Sequence, residues 1–516
     1  MSKTDTNQKL IDLRKKSKLG GGEKRIAKQH EKGKMTARER LAVLLDSSSF
    51  HELESFVAQE PGVSGANEFD SVGNGVVTGY GQINGRKVFV YAQDFTVMGG
   101  SLGEMQSKKI CRVMDLAAQN GAPIIGLIDS GGARIQEGVH SLMGYAEIFR
   151  RNTLYSGVVP QISLILGPCA GGAAYSPALT DFILMVEKHS YMFITGPNVI
   201  KEITGEEVDF ENLGGAGVHM SISGVASLSA KSENESLSQC RTLLGYIPSN
   251  NMENPPCIAP SDDPFRVDTE LDTIVPVDGT KPYNMHEVIR KVVDRNSFFE
   301  VQPTFATHAI VGFARFNGCS VGIVAQEPSA LAGIIDIDAS DKISRFVRFC
   351  DAFNIPLVTF VDSPGFLPGI NQEHKGIIRH GAKILYAYAE ATVPKISIVT
   401  RRAFGGAYVV MSSKFIGTDI NYAWPTAEIA VMGAEGAVNI ISRKEINDSE
   451  DPDAKRSELI QEYQEKYLTP YAAAKAGIID EVILPSETRA KVISALSVIK
   501  EKQIQHPARK HGISPV

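Results

Sequence analysis

The 516-residue chain has few cysteines, no long apolar run and no strong excess of either charge, and each shortage removes a class of protein. Its six cysteines, Cys111, Cys169, Cys240, Cys257, Cys319 and Cys350, are scattered and never stand as C-x-x-C. That excludes a zinc ribbon and a dithiol redox centre, and the expectation is that all six are reduced and mostly buried. No apolar stretch approaches the roughly 18 residues that cross a bilayer. The polar start MSKTDTNQKL also lacks the apolar segment of a secretory leader, so a cytoplasmic chain without direct membrane insertion is expected. A net charge of -6 gives no reason to expect nucleic acid as the main partner. The locally basic Lys15, Lys16, Lys18, Lys24 and Arg25 read as a solvated helical face. Lys18-Leu19-Gly20-Gly21-Gly22-Glu23-Lys24 lacks the spacing of a phosphate loop and no strand precedes it. His140, His308, His374 and His380 show no metal-ligand spacing, so no metal is expected.

What is present is a repeat. Thr78–Asp94 reads TGYGQINGRKVFVYAQD and Val311–Glu327 reads VGFARFNGCSVGIVAQE, an offset of 233 residues (78 to 311). Each has the form of a hairpin around Asn-Gly followed by an apolar strand. The offset persists from APIIGLIDS at Ala122–Ser130 to IPLVTFVDS at Ile355–Ser363. It becomes 234 where Gly171-Gly172-Ala173 faces Gly405-Gly406-Ala407 (171 to 405). The approach segments Leu45-Asp46 and Val293-Asp294 agree as well. A chain this long exceeds one core, and the repeat makes it a duplicated domain, taken as 1–260 and 261–516. The junction, 247–282, is rich in Pro, Asn and Asp and reads as linker.

Within each copy, short apolar runs alternate with helical patterns, which points to an α/β fold with crossover helices. A helix over 108–120 leads to a strand over 123–129 and the turn at Ser130-Gly131-Gly132; the second copy has a helix over 341–353, a strand over 357–362 and Ser363-Pro364-Gly365. Further on, strands over 162–166 and 396–400 each run into a Gly-Gly-Ala turn that opens a helix. Small residues let a carbonyl approach the backbone, and the first N–H groups of a helix have no intrahelical acceptor, so such a turn can hold a partial negative charge. Gly-Gly-Ala also permits close packing of helix on strand, and duplication is compatible with either use. Two such pockets suit two carbonyl-bearing reactants. The first acids after the glycine pairs are Asp181 and Asp419. A hydratase, which needs paired carboxylates at its oxyanion hole, is therefore a weaker alternative, as is an inert assembly scaffold.

GKMTARERLAVLLD at Gly33–Asp46, DSGGARIQEG, GPCAGGAAYSPALTDF, VDSPGFLPG, RRAFGGAYVVMSSK and YAWPTAEIAVMGAEGAV at Tyr422–Val438 together resemble the carboxyltransferase β subunits of propionyl-CoA and acetyl-CoA carboxylases. Methylmalonyl-CoA decarboxylase α and transcarboxylase large subunits are close relatives of that family. The resemblance implies two crotonase-like (ClpP/crotonase) domains, a homohexamer built as a dimer of trimers, and carboxyl transfer from carboxybiotin to the α-carbon of an acyl-CoA. An acyl-CoA thioester would lie on amides among Gly171, Gly172 and Ala173, shaped by Ser130, Gly131, Gly132, Ala133, Arg134 and Tyr175. The biotin ureido group would lie on Gly406 and Ala407, with Pro364, Gly365, Phe366, Leu367, Gly369, Gly405, Tyr408 and Val409 around it. Arg401 and Arg402 are candidates for contacts to CoA phosphates or biotin. No Ala-Met-Lys-Met biotin acceptor and no ATP-grasp set accompany these motifs, so separate biotin carboxylase and biotin carboxyl carrier subunits are implied. Propionyl-specific members carry Asp where this chain has Val409, which implies a site open to acetyl as well as propionyl groups.

Overall fold

The computed structural model describes residues 3–58, 73, 75–260, 262–276, 278–279 and 281–516, with the side chains of Lys3 and Thr4 excepted. Met1 and Ser2 of the polar start, and Ser261, Val277 and Thr280 of the junction, lie outside them. The chain divides into two compact units, Met1–Glu253 and Asn254–Val516. Each is built on a mixed eight-stranded sheet.

In the first unit the strands are β1 His51–Leu53, β2 Val76–Ile83, β3 Arg86–Gln93, β4 Ile124–Ser130, β5 Gln161–Ala170, β6 Phe182–Val186, β7 Tyr191–Phe193 and β8 Leu228–Ala230. They lie in the order β1-β2-β3-β4-β5-β6-β8, with β7 on the far end of β5. The second unit has β9 Phe299–Val301, β10 Ala309–Phe316, β11 Cys319–Gln326, β12 Leu357–Ser363, β13 Lys395–Phe404, β14 Ile420–Ala423, β15 Glu428–Ala430 and β16 Glu481–Val482. Their order, β9-β10-β11-β12-β13-β14-β16 with β15 on β13, repeats the first topology. Both sheets begin with antiparallel pairs and continue parallel, the crotonase-like arrangement.

Local chemistry explains the hairpins. Asn84-Gly85 has φ of 51° and 76°, and Asn317-Gly318 has 50° and 81°, the left-handed pair that a two-residue turn demands. Each turn is held by a carboxylate outside it. Asp46 accepts from the Asn84 and Gly85 amides at 3.1 and 2.8 Å, and Asp294 from those of Asn317 and Gly318 at 3.1 and 2.7 Å. This is the structural content of the matching Leu-Asp and Val-Asp segments. An arginine near the end of each unit, Arg241 or Arg489, completes the anchor at 2.9 or 2.7 Å.

All seven residues of β4 and of β12 are buried, as central parallel strands require. Helices Glu104–Gln119 and Ile337–Ala352 pack on β2 and β3 and on β10 and β11, and bury Ile110, Val113 and Met114, and Ile343, Phe346 and Val347. Each helix also buries a lysine at the matching position. The Lys109 ammonium donates to the Gly73 and Val76 carbonyls at 3.1 and 2.6 Å, and that of Lys342 to the Phe305 and Ala309 carbonyls at 2.7 and 2.6 Å. Burial pulls the pKa of both down to about 8.

One expectation is corrected here. Cys257 and Cys319 are not independent reduced thiols; they form a disulfide, with Cα atoms 4.1 Å apart. Sequence distance hid the pair, because the linker runs back along β11 and its backbone pairs there. The other four cysteines are free and buried. Gly20 to Gly22 form no phosphate cradle: the Gly21 amide donates to Thr96 Oγ1 at 2.9 Å, and the Thr96 backbone leaves no room for a side chain at Gly21. The five basic residues around this turn are exposed, and among the described residues no helix is long and apolar enough to cross a membrane. His308 is buried against Asp336 at 2.9 Å, and His380 pairs with Asp341 at 2.9 Å.

Candidate active site

In the first unit, β5 delivers the chain to Gly171 at φ 61° and ψ -127°, a backbone that only glycine adopts without strain. Helix Gly172–Ala178 starts immediately after it. The Gly171 amide is already spent on the Phe193 carbonyl at 3.1 Å, so the expected trio of donors narrows to Gly172 and Ala173. That bond ties the turn to β7, and the Ala174 amide closes it by donating to the Gly171 carbonyl at 3.0 Å. Cys169 fastens the floor, its thiol donating to the Ala173 carbonyl at 3.1 Å. The turn after β4 packs against this one: a side chain at Gly132 would stand 2.9 Å from the Ala170 carbonyl. Ala133 pairs with Leu102 in a short parallel bridge, while Gly131 and Tyr175 are exposed. The Gly132 amide donates to Ser130 Oγ at 3.2 Å.

Matching geometry recurs in the second unit. Gly405 has φ 54° at the end of β13, and Gly405, Gly406 and Ala407 begin helix Gly405–Val410. Phe366 and Ile335 form the bridge that corresponds to Ala133 and Leu102, with Ile335 donating to the Gly365 carbonyl at 3.0 Å and Leu367 to that of Ile335 at 2.8 Å. The Phe366 ring lies 3.6 Å from where a side-chain carbon would stand on Gly406, and nothing else does within 4 Å. Gly406 itself is exposed. Pro364 is half-buried, and Gly369 opens helix Ile370–Lys375. The Tyr408 hydroxyl is buried without a partner, which pushes its pKa up to about 12. Val409 is 43% exposed.

The arginines are not free for a ligand. Arg134 is 1% exposed and its guanidinium pairs with Glu137 at 2.7 Å and with the Ser101 carbonyl at 3.1 Å. Arg401 and Arg402 both turn onto Asp362 at 3.0 Å. Each guanidinium is thus committed to a carboxylate of its own unit, buried for Arg134 and Arg401 and partly exposed for Arg402. The corresponding Asp129 is held by Lys34 and Arg40 at 2.7 and 2.9 Å. Burial lowers the pKa of the Lys34 ammonium against the pull of Asp129. Lys34 and Arg40 lie within GKMTARERLAVLLD, a segment that received no site role from sequence; the signal that pointed to their partner was the Asp-Ser pair that recurs at Asp129 and Asp362.

The carboxylates a hydratase would use are elsewhere. Asp181 accepts from the Gln161 amide at 2.8 Å and Asp419 from that of Lys395 at 2.8 Å, both at the opposite end of the ten-residue strand from the turn. Nearer the second turn stand Asp362, held by Arg401 and Arg402, and Glu428, which faces Arg402 across the strands and is raised in pKa by burial. Each unit thus presents main-chain N–H groups at a glycine turn, with the nearby buried aspartate already committed to cations.

Four similarities bear on this geometry. A family model described as "Carboxyl transferase domain" matches residues 28–514. The propionyl-CoA carboxylase carboxyltransferase subunit of Haloferax mediterranei is 57% identical over 516 residues, covering 100% of both chains. The methylmalonyl-CoA decarboxylase subunit alpha of Veillonella parvula is 57% identical over 501 residues, 97% of each chain. Among solved structures, the transcarboxylase 12S hexamer with methylmalonyl-coenzyme A bound superposes with a TM-score of 0.97 at 52% identity, covering 100% of this chain and 99% of that one.

Proposed function

The chain belongs to the carboxyl transferase domain family, and from that premise we propose that it moves a carboxyl group from carboxybiotin, borne on a separate carrier protein, to the α-carbon of propionyl-CoA. The observation that carries this reading is the pair of matching main-chain turns, one in each unit, at Gly171–Ala173 and Gly405–Ala407. The amides of Gly172 and Ala173 receive the thioester oxygen, and those of Gly406 and Ala407 the ureido oxygen of biotin. Beside Gly406 the Phe366 ring is the one neighbour that an added side-chain carbon would meet. When bound, carboxybiotin supplies the carboxyl group and, once that has left, the basic site for the α-proton. This chain's own part is to hold negative charge as it develops on the thioester oxygen, at roughly 3 kcal/mol per well-placed donor. The buried carboxylates have no role as base.

Val409, exposed beside the second turn, favours a site that takes acetyl-CoA along with propionyl-CoA, a difference of one methylene worth about 1 to 3 kcal/mol in a fitted pocket. A hexamer like that of the transcarboxylase, a biotin carboxylase and a biotin carrier complete the assembly. The second reading is the decarboxylase context, supported by the Veillonella relative. Purification with an ATP-dependent biotin carboxylase, or with a membrane subunit, separates the two. The reaction itself is tested by offering methylmalonyl-CoA and malonyl-CoA as carboxyl donors to free biotin. Carboxybiotin is expected from both, faster from methylmalonyl-CoA; no transfer from either sinks the reading.

A further inference from the structure

We propose that Asp129 and Asp362 are positioning residues: each clamps a two-residue bulge in the strand that delivers an oxyanion turn, and so sets where that turn's amides point. The inference rests on the carboxyl-transfer reading for the identity of the reaction.

The bulge is read from strand register. β4 and β5 run in step from Ile124 opposite Gln161 to Ile128 opposite Ile165, after which Ser130 faces Cys169. Two steps on β4 (128 to 130) thus meet four on β5 (165 to 169). In the second unit Val361 faces Val399 and then Ser363 faces Ala403, again two steps (361 to 363) against four (399 to 403). Extra residues of this kind bend a strand and re-aim the chain beyond them. Three residues past the bulge lies Gly171 in one unit and Gly405 in the other (168 to 171, 402 to 405).

The residue opposite the bulge is Asp129 in one unit and Asp362 in the other, both fully buried. Asp362 Oδ1 accepts from the Arg402 amide at 3.2 Å and from Arg402 Nε at 3.0 Å, while Oδ2 accepts from Arg401 Nε at 3.0 Å. All three donors belong to the bulge. The bulge of β5, Leu166-Gly167-Pro168, has no cation to offer. There Asp129 takes Lys34 Nζ at 2.8 Å, Arg40 Nη1 at 2.9 Å and Gln29 Nε2 at 3.2 Å, all from the chain ahead of β1. Arg40 then reaches the bulge through Nη2, which donates to the Leu166 carbonyl at 3.0 Å. Gly167 lies so close on the carboxylate that no side chain could stand there.

The same bulge is thus clamped by the same carboxylate with cations from different suppliers. Hydrophobic filling would stabilise the fold as well as a buried ion pair or better, so stability alone does not account for the device. Beside each aspartate the backbone is also strained in matching places: Met98 and Leu331 have φ of 49° and 45°, and Gly100 and Gly333 pack on the Asp129 and Asp362 carbonyls.

The test measures carboxyl exchange between methylmalonyl-CoA and free biotin by the assembled protein carrying Asp129→Asn, Asp362→Asn or the milder Arg402→Gln. Displacing the amides by about 1 Å predicts a loss of about 10²-fold in kcat for the aspartate variants. KM for acyl-CoA should stay within about twofold and the oligomer should be unchanged. Arg402→Gln, which leaves Arg401 on Asp362, should lose about tenfold, and it decides the matter if the aspartate variants fail to fold. A kcat per folded molecule equal to that of the unaltered chain, with only the melting temperature lowered, overturns the proposal and leaves the carboxyl-transfer reading standing. No exchange by the unaltered chain overturns that reading, and this proposal with it.

Discussion

Gly405 and Gly406 are adjacent, yet they should respond differently to substitution. Gly405 has a positive φ and only 2.9 Å to the Val431 carbonyl from an added side-chain carbon, so Gly405→Ala should cost about 1 to 2 kcal/mol in urea unfolding. Gly406 meets only the Phe366 ring, in ordinary contact. Gly406→Val should therefore leave the assembly intact by gel filtration while abolishing carboxyl transfer, because the added methyl groups fill the space over the amide. A variant that stays active would favour a scaffold. The buried lysines give a second prediction, in pH. With Lys109 and Lys342 at about 8 in the folded chain and about 10.5 when unfolded, the unfolded state binds more protons between those values. This contribution to stability rises with pH across that window, and Lys109→Met should flatten the parent's profile between pH 8 and 10.5 in parallel denaturation curves.

At the scale of elements, the two hairpins carry the same turn with unequal anchors. Arg489 and Asp294 are almost fully buried, at 2% and 5% side-chain exposure, whereas Arg241 and Asp46 keep 28% and 26%. Asp294→Asn should cost about 3 kcal/mol by taking from a buried arginine its nearer carboxylate, with Asp262 left at 3.9 Å, and Asp46→Asn about 1 kcal/mol or less. Equal losses in urea denaturation would contradict this. The elements themselves were legible in sequence, because the Asn-Gly turns and the apolar strands recur at one offset and period is a local property. Lys34 and Arg40 were not. They lie 95 and 89 residues from Asp129, and nothing local marks a lysine whose partner arrives only through folding. The Gly171 amide was misassigned for a related reason: its acceptor, Phe193, belongs to a short strand that no local pattern places beside β5.

Over the whole molecule, each unit closes its own apolar core, one around Ile124, Ile128 and Ile165, the other around Val358, Phe360 and Ile398. The linker that opens the second unit is fixed on β11 by backbone bonds from Ile258 to the Gly318 carbonyl at 3.0 Å and from Ser320 to that of Pro256 at 3.3 Å. These bracket Cys257 and Cys319 as a closely spaced, non-hydrogen-bonded pair, so the sulfurs stay neighbours whether or not they are joined. Thiol titration of the denatured, unreduced chain should count four groups, rising to six after reductant. Six from the start would mean that the bond is open in solution.

The two turns proposed to hold the oxyanions offer peptide nitrogen, and peptide nitrogen neither gains nor loses a proton in ordinary buffers. Catalysis through those amides predicts a chemical step that no titration of the turns themselves switches on or off. Any shoulder in its rate against acidity belongs to the reactants or to the surrounding fold.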